Sequence, residues 1–514
     1  MAAEGRGGQR ARTPGWRAVA LLVAGAFFME NLDGTIISTA APRMAVSLAV
    51  RPADINVAMT AYLLTVAACI PASGWAVDRF GARRVFTAAV GVFTLASALC
   101  TLSGGLGELT AARVVQGIGG AMMVPVGRLV VLRDTEKSEL LAAVAYLTWP
   151  ALLAPVIAPT LGGLLSAYAS WRWIFALNLP LGAAALIAAF RLMPRRDPGP
   201  ATGAGPDVGA ASAGAGGADR LDWAGFGYSG AGLAIGLYGV EGLGGTPIDW
   251  TRTGPALAAG ALLLGLAVRH LARAERPLVD LRVMRLHSAR VSNLGGSLFR
   301  TAISAVPFLL PLLFELGYGW SPTAAGLMLM AVFAGNIGIK PLTSPILRRW
   351  GFKRVLVGSN LAAAGSIALC AGLGPHTPLA ATAAVLFAGG VFRSIGFTAY
   401  NGVAFAEVPA AQMSAANTLN ATLQQLAGGV GVAAGALALR AGQAVSDGHP
   451  AGGAVGLAPF RIAFLLVALL PLVGAVEVAR LNSRTGATVT GHAERARPAG
   501  SDARLATTDP GEGS

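Results

Sequence analysis

Fourteen apolar stretches, each close to the length needed to cross a bilayer, constrain this sequence more than any other feature. They fall near 18–40, 56–76, 85–104, 109–131, 142–165, 173–192, 223–243, 254–272, 291–314, 323–343, 354–373, 378–401, 415–439 and 459–479. A helical crossing takes roughly 20 residues, so fourteen crossings take about 280 and leave loops, tails and one linker from the 514 residues of the chain. Backbone polar groups in lipid must find partners inside the segment, so the crossings are helices and the fold class is an all-α integral membrane protein. Only 12% of residues are charged and 54% are hydrophobic, against about 25% charged in soluble domains, which excludes a water-soluble enzyme. The 69 glycines suit helices that approach one another closely in lipid.

The formal net charge of +14 does not read as a nucleic-acid footprint, because the basic residues sit in short clusters between apolar runs and form no stripe. They read as topology signals. With the N-terminus inside, the inside segments hold 28 of the 39 Lys and Arg, and the outside loops hold five: Arg43, Arg51, Arg172, Arg252 and Arg440. This asymmetry predicts cytoplasmic N- and C-termini in the inner (plasma) membrane. Arg outnumbers Lys heavily and Ala and Gly abound, a pattern of high-GC bacterial genomes. Residues 1–17 read as a cytoplasmic tail, 193–222 as a flexible Pro/Gly/Ala-rich cytoplasmic linker, 273–290 as a cytoplasmic loop and 481–514 as a disordered cytoplasmic tail. Cys69, Cys100 and Cys370 lie inside apolar segments and read as small buried hydrophobes with no disulfide framework. No phosphate-binding loop, nucleophile elbow or metal-ligand spacing occurs, so neither ATP, a metal, a cofactor nor enzymatic chemistry is expected.

The first span carries Glu30, Asn31 and Asp33 in an otherwise apolar run. Positions 30 and 33 lie about 60° apart around a helix, so the two carboxylates share a face. Ionised groups in hydrocarbon are costly, and that face should therefore line a watery cavity or carry protons. Arg113, early in the fourth span, stays charged and needs a carboxylate, a proton-carrying water or an anionic substrate. Arg300 and Arg393 lie well inside the ninth and twelfth spans, while Lys340, near an inner end, is expected to snorkel. Three arginines against two acids would favour an anionic or zwitterionic cargo if all five faced the cavity.

The loop after the second span reads GWAVDRFGARR over 74–84, holding Gly74, Asp78, Arg79, Gly81, Arg83 and Arg84. It resembles the loop signature of the major facilitator superfamily, G-x-L-x-D-R-x-G-x-R-R, with Ala76 in place of Leu. A degraded copy, SPILRRWGFKR over 344–354, follows 270 residues later, as expected of a fold built from repeated halves. The segment around Asp33, Thr35 and Pro42 resembles the first-helix signature of the fourteen-span drug:proton antiporter subfamily. Arg113, Gln116, Gly117, Gly119 and Ala121 match the superfamily pattern R-x-x-Q-G-x-G-A-A. Pro159, Gly162 and Gly163 match part of an antiporter pattern, with Ala154 and Ala158 where glycine is usual, and suit a kinked, sliding gate helix. WRWIFALNLPLG over 171–182 closely resembles a further subfamily marker; as physics alone, its aromatics would fit an interfacial belt.

The resemblance implies a major facilitator fold: a six-helix bundle over 18–192, two inserted transmembrane helices over 223–272 and a second six-helix bundle over 291–480, giving fourteen crossings. It implies a proton-coupled antiporter exporting small organic compounds by alternating access, with Asp33 and Arg113 coupling protons; Glu30, upstream of the matched pattern, joins them as a second candidate carrier only through the helix face it shares with Asp33. Asn31, Gln116, Arg300 and Arg393 would line the cavity, and residues 74–84 would gate. The partners are protons, a small organic cargo and the lipid bilayer. Export of an endogenous metabolite or siderophore, proton symport, and a non-transporting sensor or scaffold are the alternatives.

Overall fold

The computed structural model describes residues 16–135, 139–193, 221–243, 248–275, 277–409, 412–446, 456–482 and 485. Most of the 193–222 linker, the N-terminal tail and nearly all of the C-terminal tail lie outside the described residues. Among those described, the chain is helical throughout, with helices at all fourteen expected spans. The N-terminal helices are α1 (Trp16–Ser47), α2 (Asn56–Cys69), α3 (Ser73–Phe80), α4 (Ala82–Leu102), α5 (Leu106–Asp134), α6 (Leu140–Tyr168), α7 (Arg172–Ala176) and α8 (Asn178–Leu192). Then come α9 (Trp223–Gly242) and α10 (Trp250–Arg273), followed by α11 (His287–Leu312), α12 (Pro322–Gly338), α13 (Lys340–Ala371), α14 (Leu379–Ala406), α15 (Met413–Val445) and α16 (Leu457–Ala479). Eleven of the segments are long and apolar enough to cross a membrane; those at the fifth, seventh and tenth expected spans are not among them. The expected fourteen are met in position, and eleven of them also by length and apolarity within the described residues.

The expected gating loop is corrected by the backbone. Residues 74–80 are helical, and only Gly81 leaves the helix, with φ 83° and ψ 142°. The degraded copy does the same: α13 is helical on both sides of Gly351, which has φ 74° and ψ 164°. The stretch from Lys340 to Trp350 thus continues the tenth crossing, much as Ser73–Phe80 continues the second. Two glycines 270 positions apart make the same turn between consecutive helices, so the repeat survives in conformation where the side chains diverged. That region of φ/ψ belongs almost entirely to glycine. Gly81→Ala is expected to cost about 1–3 kcal/mol, read as a lower thermal midpoint of the detergent-purified protein; an unchanged midpoint would mean that the turn relaxes freely.

The apolar core is continuous at one end of the molecule and divided at the other. At the end carrying the basic clusters, Phe86, Met123 and Val131 of the N-terminal helices belong to the same buried cluster as Phe299, Tyr400, Phe405 and Leu419 of the C-terminal helices. At the opposite end the halves have separate cores, one around Ile36, Leu109 and Phe175, the other around Leu309, Phe314 and Phe464. Among the described residues the buried core thus joins the two halves at the basic end and is separate in each at the other.

The inserted pair is not peripheral. α9 and α10 cross at Gly236 and Gly260, where a Cβ on Gly260 would sit 2.5 Å from the Gly236 Cα. On its other faces α9 touches both halves. A Cβ on Gly230 would lie 2.8 Å from the Ala68 carbonyl oxygen of α2, Thr60 of α2 donates to Glu241 at 2.8 Å, and Leu237 occupies the notch at Gly429 of α15. Asp222 ties down the basic-cluster end of the pair: it accepts from Gly225 N at 2.8 Å as the N-cap of α9 and lies 2.8 Å from Nε2 of His270 on α10.

Candidate functional site

Asp33 is 1% exposed and sits where α1 meets α5 and α8. Its Oδ2 accepts from Arg113 Nη1 at 2.5 Å, and its Oδ1 accepts from Gln116 Nε2 at 2.9 Å and from Asn178 Nδ2 at 2.8 Å. The donors are themselves held. Arg113 Nη1 also reaches Gln116 Oε1 at 2.7 Å, and Ser97 Oγ accepts from Gln116 Nε2 at 2.9 Å and Asn178 Nδ2 at 3.3 Å while donating to Phe93 O. The Arg113 guanidinium lies 4.0 Å from the centroid of the Tyr62 ring, with Phe175 at 5.8 Å. Such stacking stabilises a desolvated cation. Three donors fill three of the roughly four acceptor sites of the carboxylate, and a proton taken up by Asp33 would leave Arg113 without its counter-charge, which is expensive. The arrangement stores a choice between proton and ion pair.

Glu30 is on the same face but in a different setting. It is partly exposed, and its Oε2 is buried without a hydrogen-bond partner. Its charge interacts with those of Asp33 and Arg128. Asn31 lies about 200° around the helix from Asp33, is exposed, and donates to Phe27 O of its own helix at 2.8 Å, so it does not join the acids. Gln116 is fully buried in the Asp33 network; the expectation that it lines a cavity is corrected, because its amide bridges the carboxylate to Ser97.

At the basic end, α3 and α5 pack on the start of α15. A Cβ on Gly74 would lie 2.6 Å from Thr418 Oγ1 and 3.4 Å from Ser414 Oγ, and Asn417 Nδ2 donates to Pro125 O at 2.8 Å. Asp78 pairs with Arg133 at 3.5 Å with both side chains well exposed, Arg83 donates to Phe190 O at 2.8 Å, Arg79 lies over the Phe80 ring, and Arg84 is exposed. Glycine at 74 is thus required by close approach between the two halves.

A family model described as Major Facilitator Superfamily matches residues 23–432 and 292–504. The chain belongs to the major facilitator superfamily. Relatives carrying the name multidrug resistance protein MdtD include one from Cronobacter sakazakii, 35% identical over 463 residues that cover 90% of this chain and 93% of the relative. Another, from Pectobacterium atrosepticum, is 38% identical over 414 residues, covering 80% and 84%. Among solved structures, the human organic anion transporter MFSD10 superposes with a TM-score of 0.61 at 15% identity, covering 90% of this chain and all of that one. The proton:xylose symporter XylE superposes at 0.59 and 12% identity, covering 91% and 96%. At those identities the structures speak for the fold alone. The chain is a multi-pass membrane transporter of this superfamily.

The superfamily motifs can now be read physically. The WRWIFALNLPLG segment, to which sequence reading assigns no chemistry, supplies Asn178 to Asp33 and Phe175 to Arg113. Its Trp171 is buried, which corrects the expectation of an interfacial belt, although Trp173 is exposed. The signal was present in the sequence: an amide inside an apolar span needs a partner. Ser97 and Tyr62 gave no comparable signal.

α6 runs helically from Leu140 to Tyr168 through Pro159, with Gly162 buried and Gly163 exposed; the Pro159 side chain is outside what is described. Lys340 does not snorkel, since it is 4% exposed and its Nζ donates to Thr398 Oγ1 at 2.9 Å. Arg393 donates to Ile303 O at 3.3 Å beside a small cavity inside the C-terminal bundle lined by Val332, Ile367, Cys370 and Leu386. Arg300 lies deeper, with Nη2 3.3 Å from Asn401 Oδ1. The three arginines expected at one cavity therefore occupy three environments. No cluster able to hold a metal occurs among the described residues.

Proposed function

We propose that this transporter is a proton-coupled antiporter that exports small organic compounds, as the name of its MdtD relatives suggests, with both termini in the cytoplasm. The observation that carries the reading is the buried ion pair between Asp33 of α1 and Arg113 of α5, placed between the shared core and the divided cores. By the positive-inside rule the shared core lies at the cytoplasmic end, so the parted halves open outward. In this reading 18–192 and 291–480 rock against each other, and 223–272 is the inserted pair. Asp33, with Glu30 as a second candidate about one turn nearer the cytoplasmic end of α1, takes a proton from outside and releases it inside. Asp33 exchanges it when rocking draws Arg113 away. Proton and cargo need only exclude one another. One proton moving down 100 mV supplies about 2.3 kcal/mol, enough for roughly a fifty-fold gradient of neutral cargo.

In everted vesicles with an imposed pH gradient, a panel of organic cations, acids and zwitterions should include compounds whose addition collapses the gradient while they accumulate inside. Movement of cargo and protons in the same direction would make the protein a symporter. Full biological activity of Asp33→Asn without any proton flux would make it a sensor. The contact at the basic end gives a smaller effect. Asp78→Ala removes a half-exposed pair worth at most about 1 kcal/mol, so initial transport rates should slow by no more than about fivefold; unchanged rates would remove Asp78 from the gate.

A further inference from the structure

Four arginines lie deep within the crossings, Arg113, Arg128, Arg300 and Arg393, and no acid acts on the last two among the described residues. Arg113 pairs with Asp33, whereas Arg128 of α5 feels the charge of Glu30 without a direct ion pair and keeps Nη1 buried without a hydrogen-bond partner. Arg300 of α11 is 4% exposed and has no carboxylate partner among the described residues. Its single hydrogen bond goes to Asn401 Oδ1, and its Nε and Nη1 are buried without partners. Elsewhere in the C-terminal helices the acids Glu315, Glu407 and Glu477 stand at helix ends. The neighbouring amides do not help. Asn401 Oδ1 is shared with Gln424 Nε2 at 3.1 Å, Gln424 also bonds Asn420, and Asn420 Nδ2 donates to Asn293 Oδ1 at 3.2 Å. Arg393 and Lys340, by contrast, leave no nitrogen orphaned.

The Phe397 ring lies 5.5 Å from the Arg300 guanidinium, and Gly296 presents no side chain where a Cβ would sit 3.2 Å from Nη1. From the opposite half, the charge of Arg128 acts on Arg300 through the interior, which raises the positive potential between the two helices. A buried guanidinium with two idle donors is costly unless an anion completes it. We infer that Arg300, with Asn401 and Phe397, is the seat of a carboxylate or sulfonate group on the exported cargo, so that the transporter prefers amphipathic organic acids and zwitterions over their neutral-ended analogues. This rests on the export reading and names its substrate class.

Rhodamine 110, which carries a free carboxyl, and rhodamine 123, its methyl ester, separate this acid group from the rest of the scaffold. With the full chain in phosphatidylcholine vesicles, fluorescence anisotropy should give saturable binding of the acid that sodium benzoate displaces, while benzoate leaves ester binding in place. Arg300→Gln should lower the acid-to-ester affinity ratio about tenfold or more. The benzoate competition needs no variant, so a misfolded Arg300→Gln does not decide the matter. Equal affinity for both dyes, no saturable acid binding, or a ratio unmoved by a folded Arg300→Gln overturns the inference. So does displacement of the acid by sulfate at equal ionic strength as effectively as by benzoate, which would assign a simple inorganic anion, or by added phosphatidylglycerol, which would assign a lipid headgroup. Proton-coupled export of both dyes without acid preference sinks this inference alone, whereas acid preference without proton flux sinks the antiport reading alone.

Discussion

Asp33→Asn is expected to abolish cargo-driven proton flux, with a loss of more than about a hundredfold. The substitution keeps the shape and one acceptor but removes the charge, leaving Arg113 buried without its counter-ion. Breaking such a pair costs about 3–5 kcal/mol, and each 1.4 kcal/mol is tenfold, so a state that depends on the pair is depopulated by two orders of magnitude or more. Proteoliposomes with a trapped pH dye measure the flux directly. Because the same penalty lowers stability, the double variant Asp33→Asn/Arg113→Gln is the control. It should regain much of the lost thermal midpoint while remaining inactive, since two neutral amides can satisfy one another but cannot trade a proton against a charge. Wild-type flux in Asp33→Asn would remove this carboxylate from the proton path and leave Glu30 alone on it.

Gly335→Val and Gly390→Val are each expected to destabilise the protein by about 3 kcal/mol or more, the upper end of overpacking. A Cβ on Gly335 of α12 would lie 2.0 Å from the Phe387 carbonyl oxygen of α14, and one on Gly390 of α14 would lie 2.0 Å from the Val332 carbonyl oxygen of α12. Both obstacles are backbone, so no rotamer change relieves them and the helices must separate. In lipid, where helices gain little from hydrophobic exclusion, such close backbone packing is a main source of association. Thermal unfolding of the purified variants tests this. Wild-type midpoints would show that the two helices can part at no cost, as sliding elements of the C-terminal half.

Much of the candidate site was legible because polar residues in an apolar span have few explanations. Asp33, Arg113 and Glu30 stand out against their surroundings in one dimension, and the structure joins the first two. Asn178 and Ser97 did not stand out as chemistry: serine and asparagine cost less than a charge in a helix interior, Asn178 meets Asp33 145 positions away, and Ser97 meets Gln116 and Asn178 19 and 81 positions away. Gln116 was legible as polar but not as a ligand of Asp33, and Lys340 looked like a snorkelling end because its distance from the headgroups depends on how the tenth crossing bends at Ile339.

The sequence by itself determined that this chain crosses a membrane many times as helices, that its basic loops share one side, and that its halves repeat, because hydrocarbon imposes those demands on each segment separately. The glycines at 81 and 351 belong to the same order of information, since a backbone turn is a local requirement. Only the tertiary structure decided which buried charges answer one another: that Arg113 closes on Asp33, that Arg300 meets an amide but no acid among the described residues, and that the inserted helix α9 leans on both halves. Those outcomes depend on the rotation of each helix about its own axis, which is set by packing against neighbours far away in the chain and leaves no periodic mark in any single span.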